Sequence, residues 1–125
     1  MSSRFPIAIS VQARFVPEQS DLVANHYVFA YHITIRNEAD VPVQLLSRHW
    51  LIADMNGRVQ EVRGEGVVGE QPRLQPGQSF EYTSGVNLNV PLGTMRGSYR
   101  FVTADGEEFD APIPEFMLTV PRTLH

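Results

Sequence analysis

The stretch HYVFAYHITIRN, residues 26–37, sets Tyr27, Phe29, Tyr31, Ile33 and Ile35 on one parity and Val28, Ala30, His32 and Thr34 on the other. A period of two places successive side chains on opposite faces of an extended chain, so this is a strand with one face turned to a core. Its β-branched and aromatic residues suit a pleated, half-buried surface better than a helix.

The same alternation runs from Ile7 to Phe15 and gives a first strand. Val43 to Ala53 is apolar on both parities, the mark of a strand lying centrally in its sheet. Asp54-Met55-Asn56-Gly57 reads as a type I′ hairpin turn leading into a short strand from Arg58 to Val62. Pro76-Gly77 sets a turn before a strand from Gln78 to Ser84. Met95 to Thr103 follows, with Tyr99 and Phe101 on the face of Met95 and with Arg96 and Arg100 opposite. Pro112 and Pro114 interrupt the last segment, Glu107 to Val120, which is therefore an edge strand or two short strands with a break. About seven strands without an amphipathic helix predict an all-β fold, an immunoglobulin-like or fibronectin type III-like sandwich of two antiparallel sheets. The 125 residues suit one domain, with its core over about residues 7–121.

Composition narrows the chemistry. Apolar residues make up 42% and charged residues 19%, an ordinary globular balance that does not describe a disordered chain. With no cysteine there is no disulfide framework, thiolate metal site or Cys nucleophile, which fits a reducing cytoplasm. All ten basic residues are Arg, so the lysine of a P-loop and Schiff-base chemistry are excluded. A net charge of −4 argues against a nucleic-acid surface, although Arg36, Arg48 and Arg58 could form a small basic patch. No run of about 18 apolar residues and no signal-peptide core is present, which predicts a soluble cytoplasmic protein without membrane contact.

Gly64-Glu65-Gly66-Val67-Val68-Gly69 matches the G-x-G-x-x-G pattern of dinucleotide-binding loops. That loop must open a helix, and Pro72 and Pro76 fall where its first turns would be, so the dinucleotide fold is set aside. Two readings are left. The glycines bend a tight crossover, or successive backbone N–H groups form an anion nest flanked by Arg63 and Arg73.

No catalytic residue is assigned. His26 and His32 lie six residues apart on one strand, about 20 Å, and cannot share a metal ion. Ser47 and His49 share a face, but Asp54 falls on the opposite parity, and His49 is read as packing beside Trp50. Asp105, Glu107, Glu108, Asp110 and Glu115 form an acidic run without an intervening base. Glu108 and Asp110 share a face and are weak metal candidates, but the run is read as a solvated acidic hairpin that discourages edge-to-edge pairing, and no metal is assigned.

The blocks Arg48-His49-Trp50, Asn56-Gly57, GEGVVGEQP (64–72), LQPGQSFEYTSG (74–85), PLGTMRGSYRF (91–101) and IPEFML (113–118) resemble the bacterial ApaG family in order and spacing, from about Ile7 to Pro121. The resemblance implies a fibronectin type III-like sandwich. It also implies a role in binding another protein, as in eukaryotic F-box and polymerase-interacting proteins with similar domains. It brings no known reaction, only a genetic association with magnesium and cobalt efflux and with diadenosine-tetraphosphate hydrolase.

The expectation is a non-enzymatic protein-interaction module without a cofactor. Its contacts would be Val67, Val68, Trp50 and Leu88, on a surface formed jointly by the glycine crossover and residues 87–94, or along the proline-interrupted edge strand by β-augmentation. The alternative is a small-ligand binder. Pyrophosphate or nucleotide phosphates would bind at Gly64, Gly66, Gly69, Arg63 and Arg73, or a divalent cation at Glu108 and Asp110.

Overall fold

The computed structural model describes residues 5–121, and the alternation that begins at Tyr27 becomes β2 (Tyr27–Asn37), with Phe29, Tyr31, Ile33 and Ile35 buried. It pairs antiparallel with β1 (Ile7–Phe15) on one side and β6 (Ser79–Leu88) on the other, completing a three-stranded sheet. The facing sheet has the order β4 (Val59–Glu65), β3 (Val43–Asp54), β7 (Leu92–Thr103), β8 (Glu108–Thr119). The two-residue β5 (Arg73–Leu74) continues the β4 side by pairing with the start of β3. The chain crosses between sheets from β2 to β3, from β5 to β6 and from β6 to β7, so both sheets are filled from alternating parts of the sequence. The predicted sandwich is therefore observed, with eight strands.

One pole carries the β2–β3 and β5–β6 connections and the β7–β8 turn; the other carries the β1–β2 and β6–β7 connections and the β3–β4 hairpin. Among the described residues no helix is long and apolar enough to cross a membrane, and the helical content is one 3₁₀ turn at Pro17–Gln19.

Trp50 sits at the centre of the core, edge-on to Tyr31, Tyr99 and Phe116 at centroid distances of 5.6, 6.3 and 5.9 Å. Gly97 lies directly opposite Trp50 on β7, and a Cβ there would stand 2.0 Å from the His49 carbonyl oxygen, so only glycine lets the strands close beside the indole. Buried Asn37 ties the far pole together. Its Nδ2 donates to the carbonyls of Val41 and Leu74 at 2.9 and 3.0 Å, and its Oδ1 accepts from the Ala39 amide at 2.9 Å. Each bond satisfies a group whose burial without a partner costs about 1–3 kcal/mol.

Three local features depart from expectation. Around Asp54–Gly57 only Gly57 has a positive φ, and Gly57 N–H donates to the Asp54 carbonyl, so the hairpin is a type I turn with a glycine bulge and not type I′. The Asp54 carboxylate accepts from the amides of Asn56 and Arg58 at 2.8 and 3.1 Å and fixes that turn. β3 is apolar on both parities because a bulge between Leu45 and Ser47 switches its faces, putting Val43 and Leu45 inward before it and Trp50 and Ile52 inward after it. β8 is one continuous edge strand whose register shifts beside Pro114. Prolines and a bulge on an edge discourage strand addition, which removes the physical basis for β-augmentation there.

Candidate functional site

The two flanks of the sandwich differ. On one, β1 packs against β8 and the rings of Phe5 and Phe109 meet at 5.0 Å. On the other, β4 and β6 stand apart and leave a cleft of about 400 Å³ between the sheets. Tyr31, Trp50, Val62 and Met95 give it apolar walls, and Gln60, Ser84 and Asn87 line its mouth. A smaller chamber of about 170 Å³ continues it past Tyr82 to the glycine loop, sharing Tyr31, Arg48, Trp50 and Ser84 with the main cleft.

Arg48 is the one charged side chain lining either space. The bulge turns it inward, one step along the inner face from Trp50. Its NH1 donates to the carbonyls of Glu65 and Gly66, both at 3.0 Å. Among the described residues no carboxylate is within ion-pair distance of it, so a half-buried guanidinium faces the cleft without a counter-charge.

The glycine motif explains how that arginine is held. A Cβ on Gly64 would lie 2.6, 2.7 and 2.8 Å from Arg48 NH2, Cζ and NH1; near-equal distances to three guanidinium atoms mean that the plane lies flat against the glycine. Gly66 has φ +63° and would put a Cβ 2.2 Å from the Glu70 carbonyl oxygen. Val67 and Glu70 exchange backbone hydrogen bonds of 2.8 and 2.9 Å around Val68 and Gly69, whose φ values of 44° and 82° make this tight turn type I′. Val67 thereby drops fully into the core while Val68 stands 54% exposed at the tip.

The alternative of an anion nest loses three loop amides and both flanking arginines in this geometry. The amides of Gly66, Val67 and Glu70 already bond to Leu46, Glu70 and Val67 carbonyls. Arg63 donates to Glu61 at 2.9 Å on the outer face of the sheet, and Arg73 borders a separate depression beside Pro42 and Thr103. The expected partner contacts also divide: Val67, Trp50 and Leu88 are buried at 0%, 2% and 7% exposure, so Val68 alone offers apolar surface. The glycine loop and residues 87–94 cannot form one end surface, because Glu65 pairs with Ser47 early in β3 and Gly93 with Asp54 at its end, about 23 Å away along the strand.

The outer face of the larger sheet is charged but internally paired. Arg100 donates to Glu108 at 2.8 Å and to Asp110 at 3.0 Å, so the two carboxylates share a face as expected but clamp an arginine supplied by the neighbouring strand. Among the described residues no cluster of three or more His, Asp or Glu is placed to hold a metal ion. His49 points outward to Glu61, with Nε2 and Oε2 at 2.5 Å, and does not pack beside Trp50. That bond and then the Arg63 charge hold the Glu61 carboxyl below the usual range. His32 spans Glu81 and Thr83 at 2.8 Å each. Asp54 is occupied with its turn, so no nucleophile, base and orienting group converge at Ser47. Arg36, Arg48 and Arg58 form no patch: Arg36 lies on β2 near Glu38, Arg48 faces inward, and Arg58 ends the β3–β4 hairpin.

A hydroxyl pair completes the inner wall. Tyr82 and Tyr99 meet at 2.5 Å between their oxygens; burial pushes the Tyr82 hydroxyl up to about 12 and raises that of Tyr99 further.

The ApaG domain matches residues 17–103 of this chain. The curated Protein ApaG of Aromatoleum aromaticum is 58% identical over 124 residues, covering 99% of this chain and 98% of that protein. Protein ApaG of Nitrosospira multiformis is 57% identical over 122 residues, covering 98% and 96%. A crystal structure described as the putative ApaA protein of Bordetella pertussis superposes with a TM-score of 0.92 at 55% identity, covering 95% of this chain and 97% of that one.

Proposed function

This chain belongs to the ApaG family, and from that premise we propose that it is a non-enzymatic protein-interaction module of the cytoplasm, built on a fibronectin type III-like sandwich. One observation supports this above the rest. Of the six large apolar side chains that stand exposed among the described residues, Leu22, Val23, Met55, Val59 and Met117 belong to the pole of the β1–β2 connection and the β3–β4 hairpin. Val23 is 96% exposed at the tip of a short turn closed by the Asp21–His26 bridge. Val59 and Met117 lie in one row across the outer face, through Ala53 and Thr94. That five of the six gather at one pole supports contact with another protein there, since exposed apolar side chains spread singly over a surface would not.

Photo-cross-linking residues placed at Val23 and Met55 test this in cells of the native organism, with Glu81 on the opposite sheet as control. Discrete adducts at the first two positions, absent at Glu81 and abolished by the pair Leu22→Ser and Val59→Ser, are expected. The same adduct pattern at all three positions, or none, overturns the assignment.

A further inference from the structure

We infer that the cleft between β4 and β6 is a binding site for a small monocarboxylate, its carboxylate on Arg48 and its short body between Val62 and Ser84. The cleft reaches toward the apolar pole at Gln60 and Asn87 but opens on the flank, and its binding is read out independently of any protein contact there.

The cleft's volume of about 400 Å³ lies within the range of small-molecule sites, which run to roughly 300–1,000 Å³. Tyr31, Trp50 and Met95 close its floor, half-buried Val62 stands at its side, and the surface it opens to solvent is mainly polar, from Arg48, Gln60, Ser84 and Asn87, as a small polar anion requires. The guanidinium is already oriented, flat against Gly64 and tethered through NH1 to two carbonyls, so little side-chain freedom is given up when an anion docks. A planar guanidinium matches a carboxylate through paired N–H donors.

The charge count selects the guest. Arg48 is the single cation of the cleft, Gln60, Ser84 and Asn87 are neutral, and the Tyr82 hydroxyl stays protonated at neutral pH. One positive charge balances a monoanion, whereas a phosphate dianion or pyrophosphate would carry uncompensated charge between two sheets.

The sole tryptophan of the chain lines the site and reports on it. Trp50 fluorescence, excited at the red edge, is followed during titration with 3-phenylpropionate, 3-phenylpropionamide and inorganic phosphate, while backbone amide shifts locate where each binds. The acid should give a saturable change, with shifts at Ser84–Asn87 and Gln60–Gly64. The amide should bind at least about tenfold more weakly, because it cannot form the charge-assisted pair with the guanidinium. Arg48→Gln should equalise acid and amide. Because Arg48 also braces the glycine loop, Ser84→Phe supplies a second variant that fills the cleft from the opposite wall, and it should abolish both signals. Equal binding of acid and amide, phosphate competing as well as the acid, or no saturable change in the folded protein overturns the proposal.

Discussion

Where β1 meets β8 the sandwich closes with apolar rings, Phe5 on Phe109 and Phe109 on Phe101 at centroid distances of 5.0 and 5.5 Å; where β4 faces β6 it stays open, lined by hydroxyls and an arginine held by backbone carbonyls without a counter-charge. A sealed flank needs only shape and hydrophobicity, so many side chains of the right volume would serve. An open flank exposes the core to water unless specific groups hold its edge. Here that work falls to the glycine loop, which lays Arg48 against Gly64 and lowers Val67 into the interior. The motif that looks like a phosphate cradle is thus the framework of the open flank.

The largest expected effect breaks the sealed side. Phe109→Ala removes a half-buried ring that packs on both Phe5 and Phe101, and denaturant unfolding should show a decrease of about 3 kcal/mol. Val62→Ala on the open flank, where the side chain already borders solvent, should cost about 1 kcal/mol. Equal costs would mean that the flanks are not built differently.

Within the glycine loop the comparison sharpens to single positions. Gly66→Ala forces a side chain into positive φ and against the Glu70 carbonyl, and should cost about 2 kcal/mol or more. Gly64→Ala meets only the movable end of Arg48, so it should cost under about 1 kcal/mol in stability. Thermal and denaturant melts of both variants check the order. If Gly64→Ala is the more damaging, the arginine is fixed more rigidly than its two carbonyl bonds imply.

The polar chemistry of the open flank should also set the alkaline limit. A hydroxyl harder to ionise when folded contributes stability that is complete below its unfolded value, near 10, and is lost as pH rises through the folded value, here about 12 for Tyr82. With no lysine or cysteine in the chain, the Tyr82 hydroxyl and the Tyr99 hydroxyl, which is raised further, carry the fall in that window together, so removing Tyr82 takes away only its share. Denaturant midpoints measured from pH 9 to pH 11.5 should fall above about 10, and Tyr82→Phe should flatten the fall, whereas Phe109→Ala should shift the curve without changing its slope.

Much of this was legible in the chain. The alternation at Tyr27–Ile35 and Ile7–Phe15 marked two neighbouring strands, and Pro76-Gly77 marked its turn. The site was far less legible, for one geometric reason. Counting parity from Val43 and Leu45 sends Arg48 outward, and only the bulge between Leu45 and Ser47 turns it toward the core. Counting backward from Trp50 would have found it, since Arg48 and Trp50 share a parity. The partner of the acidic run was hidden for a related reason: no base intervenes along the chain, yet antiparallel pairing brings Arg100 opposite Asp110. Both features escape a reading that treats a strand as a line, because its neighbours decide which groups meet.

The smallest expected effect concerns the tip of the loop. Val68 has φ 44°, and a β-branched residue in the left-handed region crowds its own backbone. Being more than half exposed, its side chain returns little burial for that strain. Val68→Gly relieves the strain and lets both central positions of the turn be glycine, as type I′ geometry prefers. The added freedom of the unfolded chain opposes the gain by up to about 1 kcal/mol, so the net change should be a stabilisation of roughly 0.5 kcal/mol. Differential melts of Val68→Gly and Val68→Ala separate the two effects, because alanine removes the β-branching while keeping a Cβ at positive φ. Stability rising from valine to alanine to glycine identifies backbone strain at the tip. A decrease with glycine would instead show that the valine side chain, lining the small chamber beside Tyr82, helps to close the open flank.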